Sequence, residues 1–286
     1  MSGLLDTAIS RLKSTRGDIH VSVHSSRKDL KAFRAYLRLL RAIIGDESYR
    51  RLNISARDAS RVLSQARDTV ALHDAITLVE KHLRKAGGPA SVSSLRKAAD
   101  SEVQTSAGTA TIRRHSKDVI AMLLPCREEV ATWTLPEPPD LYIEGLAKTY
   151  ATAQKMLRRG LKSRMPEDMH EARKRVIHWR YQLDLFIDLW PRLLKAEVRE
   201  LQELREDLGQ HNDLVMLEGR ILNREGGFTD IADVDPFLDA ITLLRARCAH
   251  IAAYRQGLLF AQRPDIRQDT LRKWWTASFD YRDAES

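Results

Sequence analysis

His24, Arg27, Lys28, Lys31, Arg34, Arg38 and Arg41 recur at steps of three and four residues. That spacing puts side chains on one face of an α-helix. Leu30, Phe33, Tyr36, Leu37, Leu39 and Leu40 fill most of the opposite face, and Asp29 is the only acid between His24 and Arg41. A solvated helix face usually mixes signs, because opposite charges four residues apart support the helix and like charges weaken it. Cations stacked on one face are relieved by an anion. Arginine suits phosphate because its planar fork donates two parallel hydrogen bonds, whereas lysine acts as a compact point charge. The chemistry of this stretch is therefore anion binding, with Arg27, Lys28, Lys31, Arg34 and Arg38 as contacts.

The pattern returns. His24-x-x-Arg27-Lys28 reappears as His170-x-x-Arg173-Lys174, 146 residues later, and Arg34 is matched by Arg180 at the same shift. Tyr181 shares that second face, which is less pure: Ile177 stands where Lys31 does, and Asp184 where Arg38 does. A third basic run has no acid from Gly145 to Pro166, and Lys148, Lys155, Arg159 and Lys162 in it are in helical phase. Lys148, Lys155 and Arg159 are expected to support the site.

His24 and His170 sit inside the basic stripes, at equivalent positions of the repeat. Beside phosphate oxygens an imidazolium donates from both nitrogens and is favoured by the nearby negative charge. Metal binding is the competing reading, since His20 and His24 are four residues apart. No third ligand follows at a recognisable spacing, and neither HExxH nor a cysteine pair occurs. Asp68 and Asp213 could be catalytic carboxylates, but their placement before helical runs reads better as N-capping. Gly209 marks close packing or a helix end, and His211 and Asn212 approach a phosphate there. No P-loop, G-x-S-x-G or carboxylate cluster for two-metal hydrolysis is present. No catalytic residue and no metal site is expected.

Helices must position these groups. Periodicity predicts helices over about 3–14, 18–44, 47–66, 69–86, a stretch ending near Trp133, 167–190, 191–208, one capped by Asp213, and 236–260, with no convincing strand. Gly45-Asp46 reads as a turn and Gly87-Gly88 as a stop before a Ser-rich loop. Pro191 reads as the first residue of a helix. Three prolines between Thr134 and Asp140 cannot continue a helix, so the chain is divided into 1–135 and 136–286. A second echo supports duplication: Leu63-Ser-Gln-Ala-Arg-Asp68 recurs as Leu208-Gly-Gln-His-Asn-Asp213, shifted by 145. Trp274-Trp275 is expected to pack back on the bundle.

Composition sets the class. The chain has 286 residues, 43% apolar and 30% charged, with 47 Lys and Arg against 39 Asp and Glu and a net charge of +8. A clustered basic surface attracts polyanions: nucleic acid, acidic membrane or phosphate chains. Cys126 and Cys248 form no disulfide framework and read as reduced core thiols. The N-terminal residues lack the apolar core of a signal peptide, and no apolar run is long enough to span a bilayer. The protein is expected to be soluble and cytoplasmic.

The duplicated H-x-x-R-K helix, Arg180-Tyr181, the L-x-Q-x-x-D segments and G-L-x-K-x-Y at Gly145–Tyr150 resemble the CHAD family, the conserved histidine α-helical domain. The resemblance covers nearly the whole chain. It implies an all-α fold of two four-helix bundles related by a pseudo-two-fold axis. It also implies a central basic groove that binds inorganic polyphosphate without an evident catalytic apparatus or cofactor, at polyphosphate granules. Some members are fused to a domain marked by E-x-E-x-K; that motif is absent here, so the chain resembles a stand-alone copy. Divalent cations carried by polyphosphate would arrive with the ligand. Two rivals remain: a general nucleic-acid or polyanion binder, and a phosphoanhydride-processing enzyme using a histidine. The stripes lack interleaved aromatics for base stacking, and no acid stands ready to orient His24 or His170.

Overall fold

The computed structural model describes residues 1–14, 16–63, 68–86, 92–105, 109–136 and 139–285. Among the described residues eleven α-helices run in order and there is no strand. They are α1 (Ser2–Lys13), α2 (Ile19–Leu39), α3 (Arg41–Val62), α4 (Asp68–Lys85), α5 (Ser93–Thr105), α6 (Thr109–Ala131), α7 (Asp140–Ser163), α8 (Pro166–Leu185), α9 (Pro191–Leu222), α10 (Asp235–Leu259) and α11 (Pro264–Glu285). The Gly87-Gly88 stop, Pro89 to Ser91 of the Ser-rich loop, residues 64–67 of the first L-x-Q-x-x-D segment and the Asp68 side chain lie outside what is described.

Three apolar cores hold these helices. The first joins α1, α2, α3 and α6 through Leu5, Ile9, Leu30, Phe33, Leu37, Leu52, Val119 and Leu123. The second joins α7, α8, the first half of α9, the end of α10 and α11. Its centre is Trp179 of α8, fully buried with its ring edge-on to Tyr150 at 5.3 Å. The third joins α4 and α5 to the second half of α9 and the first half of α10, through Ile76, Leu95, Leu214, Leu217 and Ile241. Helices from both sides of the proline-rich segment thus share one core.

The basic helix α2 lies where the first two cores meet. Leu30, Phe33 and Leu37 are buried in the first core, while Leu39 enters the second. The amide of Gln182, fully buried on α8, donates to the Ala35 carbonyl at 2.7 Å. Asp18 caps the start of α2, its side chain accepting from the His20 amide at 2.8 Å. The C-terminal end differs from expectation. α2 stops at Leu39 rather than near residue 44, and the chain re-enters a helix at Arg41 before turning at Gly45, whose φ of 80° suits glycine.

α9 also differs from expectation. It continues unbroken from Pro191 to Leu222, so Asp213 lies inside a helix and caps nothing. A mid-helix glycine costs about 1 kcal/mol, which favours a break at Gly209. The glycine has a packing role instead: a Cβ at Gly209 would meet the Arg173 guanidinium at 3.1 Å. The missing side chain makes room for a cation from α8. Trp274 and Trp275 pack against the second core as expected, with Trp274 edge-on to Trp190 at 5.4 Å.

Gly145 tests the seating of α2. A Cβ there would meet the Leu39 carbonyl oxygen at 2.5 Å, a backbone atom that cannot swing aside. Gly145→Ala is expected to cost about 1–3 kcal/mol by forcing α2 from α7. Gly219→Ala, where a Cβ meets nothing within 4 Å, should be neutral or stabilising by up to about 1 kcal/mol. Urea denaturation followed by circular dichroism separates the two, and equal midpoints would refute the close-contact account.

Candidate anion-binding cleft

α2 and α8 pack side by side, and their basic faces open into adjoining clefts. The first, of about 420 Å³, is lined by His24, Arg27, Lys28 and Lys31 of α2, Ile177, Arg180 and Tyr181 of α8, and Gln202, Arg205 and Glu206 of α9. The second, of about 600 Å³, shares Arg27, Lys31 and Ile177 with it. It adds Arg34 and Arg38 of α2, Arg57 of α3, and His170, Arg173, Lys174, Arg175 and His178 of α8. A third, of about 360 Å³, begins at Arg38 and continues to Arg41 and Lys148. One helix face therefore lines three consecutive cavities. In the middle one eight Arg and Lys side chains meet three carboxylates, Asp74, Glu171 and Asp213.

The local acids cancel only part of this charge, with Asp58 pairing Arg57 at 2.9 Å and Asp46 pairing Arg41 at 2.7 Å. Asp29, the single acid of the α2 run, turns away to pair with Arg11 of α1. Glu171 pairs with Arg175 and, at 3.4 Å, with Lys174. Arg34 donates through Nε to the Asn53 amide oxygen at 3.0 Å, a neutral partner. Burial and the neighbouring Arg38 push the Arg34 guanidinium below its ordinary pKa, and burial, helped by Arg175 and opposed by Tyr49, does the same to Arg38. The buried Nε atoms of Arg38, Arg175 and Arg180 have no hydrogen-bond acceptor. Such donors are costly to leave unmet.

His170 lies at the cleft wall. Its Nδ1 is 3.0 Å from Asn212 Oδ1, so Nδ1 donates and Nε2 is left as the second polar atom of the ring. Burial, then Lys174, lower its pKa against a smaller upward pull from Asn212. The expectation of a protonated histidine beside the ligand therefore requires the ligand's own charge. His178 lies one helical turn past Lys174; burial, then Arg38 and Arg175, hold it well below the ordinary histidine value.

Of the residues expected from sequence, the two main clefts gather His24, Arg27, Lys28, Lys31, Arg34, Arg38, His170, Arg173, Lys174, Arg180 and Tyr181. Lys148 stands at the end of the row, in the third cleft, and pairs with Glu144 at 2.5 Å. Lys155 and Arg159 line none of the three, and Arg159 pairs with Asp168 at 2.9 Å. The acid-free stretch of α7 thus finds its acids just beyond its ends, at Glu144 and Asp168. Arg57, Arg175, His178, Gln202 and Arg205 belong to the clefts but were not singled out. Arg175 and His178 could have been found, since they sit two and one positions before Ile177 and Trp179 on α8, flanking its buried side. Arg57 and Arg205 come from α3 and α9 and carry no local signal.

His211 lies just behind this wall on α9. It is buried, its Nδ1 has no hydrogen-bond partner, and burial, helped by Arg245, drops its pKa to about 4. A histidine lowered in the fold takes up a proton on unfolding. Its stability contribution is present above the unfolded value near 6.5 and is lost as pH falls toward 4. Unfolding free energy is expected to fall by about 2 kcal/mol from pH 7 to pH 5 through His211 alone. His211→Gln should flatten that slope in urea titrations; an unchanged slope would refute the assignment.

No curated protein matches the chain by sequence. Residues 2–222, which carry both H-x-x-R-K helices and the whole of α9, match the CHAD domain, and the chain belongs to the CHAD family.

Proposed function

We propose that the α2–α8 cleft binds inorganic polyphosphate and that the protein acts as a non-catalytic module held on that polymer. The observation that carries this reading is the row from His24 to Arg38 along α2, faced by Arg173, Lys174, Arg175 and Arg180 with few carboxylates. A polymer with a charge on every unit matches a row of cations better than a single small anion does. Affinity would come from phosphate neutralisation and counterion release, as on a nucleic-acid backbone, and would fall steeply with salt. Arg27, Arg34, Arg38, Arg173 and Arg180 would fork phosphate oxygens, and Lys28, Lys31 and Lys174 would add point charge. Lys148 could extend the row where Glu144 is displaced.

The two basic helices fit a duplicated plan. A shift of 145 or 146 residues carries α1 onto α7, α2 onto α8, α3 onto the first half of α9, and α4 onto its second half. On this reading, a pseudo-two-fold axis runs between α2 and α8 and relates two four-helix units. Nucleic acid is the nearest competing ligand. Tyr181, the one Phe, Tyr or Trp lining the first cleft, has the Arg180 guanidinium 4.3 Å over one face of its ring, which occupies that face against a stacking base. No helix among the described residues is long and apolar enough to cross a membrane. Location at polyphosphate granules would follow from the ligand.

The test offers immobilised full-length protein labelled long-chain polyphosphate against single-stranded DNA, duplex DNA and RNA of equal charge, near physiological salt. Retention of intact polyphosphate is expected. Arg27→Gln with Arg173→Gln should lower its affinity at least tenfold with helical content unchanged, while Lys155→Gln with Arg159→Gln should leave it within about twofold, the effect expected of distant charges under screening. Equal displacement by nucleic acid would reduce the cleft to a generic polyanion surface. Shortened chains would make the protein an enzyme, and retention by the Arg27/Arg173 variant would move the site elsewhere.

A further inference from the structure

Two histidines line the second cleft, and the fold holds them differently. His170 is anchored, with its Nδ1 3.0 Å from the Asn212 amide oxygen. The Nδ1 of His178 is buried and has no hydrogen-bond partner. The ring cannot leave the wall to find one, because the next residue, Trp179, is fully buried in the second core. A buried polar atom without a partner is uncommon in a folded protein and calls for a reason. His211 shares the defect but lines neither of the two main clefts, so its proton bears on stability. His178 is open to whatever fills the second cleft.

The charges around this ring are nearly all of one sign. Arg34 and Arg38 act on it from α2, and Lys174 and Arg175 from its own helix. From α3, Arg57 lines the same cleft, paired with Asp58, and Tyr49 has the Arg38 guanidinium 5.7 Å over its ring. α7 contributes Lys148, in the cavity beyond Arg38 and paired with Glu144. Of the acids in the cleft, Glu171 is taken up by Lys174 and Arg175, and Asp74 and Asp213 come from α4 and α9. Among the described residues no carboxylate pairs with His178. Burial first, and these cations next, keep the ring neutral while the cleft is empty. A lysine or arginine at this position would stay charged in the empty cleft and repel its neighbours, whereas a histidine takes its charge only when an anion offsets theirs. We propose that His178 is a proton-gated binding residue of the second cleft: its ring takes a proton from solvent as the polyanion enters and, as an imidazolium, joins the eight Arg and Lys side chains that face the ligand. The proton is thereby a co-ligand of the polymer, and no bond of the polymer is broken. This inference rests on the polyphosphate reading of the cleft. One proton taken up at this ring raises affinity by up to about tenfold for each unit that pH falls, between the values His178 has in the filled and the empty cleft. The polymer is held in mild acid and released as pH rises.

Calorimetric titration of the full-length protein with long-chain polyphosphate, whose few end groups add little to the proton balance, reads this directly. Runs at about pH 5.5, 6.5 and 7.5 span the histidine range, each in two buffers of different ionisation heat, so that the difference counts the protons taken up. The wild type is expected to bind at least about tenfold tighter at the lowest pH than at the highest. His178→Gln should bind with close to one proton fewer and a correspondingly flatter pH profile, with helical content unchanged. His178→Lys, which keeps a cation there, should also lack that proton but hold at the highest pH the affinity that the wild type reaches at the lowest. His170→Gln, run alongside, should leave the His178 proton in place. Equal proton uptake by the wild type and His178→Gln overturns this inference and leaves the polyphosphate reading standing. So does a loss of affinity by the same factor at every pH in both His178 variants, which would make the ring a packing residue. A wild type that binds no polyphosphate at any of the three pH values overturns both.

Discussion

Everything in this molecule turns on α2 having to satisfy two opposite demands. Its apolar face closes the first core, and its last buried leucine enters the second, so the helix cannot rotate. Full burial of a Leu or Phe side chain contributes about 1.5–3 kcal/mol, and Leu30, Phe33, Leu37, Leu39 and Leu40 are all buried. Repulsion between like charges a turn apart is a few tenths of a kcal/mol per pair in an exposed helix, and larger where water is thinned. Burial wins by a wide margin. The cations are therefore held in place against their mutual repulsion by side chains on the far side of the same helix.

That imbalance explains the shape of the electrostatics around the cleft. α8 brings a second basic face against α2, anchored from behind by Trp179 and tied to α2 by Gln182. Neither helix can withdraw, so Arg34 and Arg38 lie below their ordinary pKa and stay charged only because arginine starts so high. Histidine starts far lower, and burial first and the neighbouring cations next push His170 and His178 further down. The same field sorts the two residue types into permanent cations and conditional ones.

The α2 pattern was legible because a three-and-four spacing is a local property, and the buried and cleft-facing residues of α2 lie where that spacing puts them. The second basic helix was legible by its repeat of the first. What crossed between helices was not. The Asn53 partner of Arg34, the Asp168 partner of Arg159 and the entry of Arg57 and Arg205 into the clefts depend on how helices distant in sequence pack. The unbroken α9 was misread for the same reason. Gly209 and Asp213 look like a stop and a start until Arg173, from another helix, is seen to occupy the space over the glycine. The sharing of one core by α4, α5, α9 and α10 likewise leaves no mark in either half alone.

A ligand that neutralised the cleft would change more than its own occupancy. Bringing negative charge beside His170 would raise a pKa now held down by burial and Lys174, so binding would take up a proton and tighten as pH falls through the bound-state value. The unliganded fold behaves in the opposite sense, since its lowered histidines make acid destabilising. Mild acid would therefore weaken the empty protein and favour the filled one, widening the difference in stability between them. A small phosphate could neutralise part of the row and leave the rest repelling. A polymer spanning from His24 to Arg38 would relieve the repulsion along its whole length, which is the physical support for the proposed chain of phosphates over a single one.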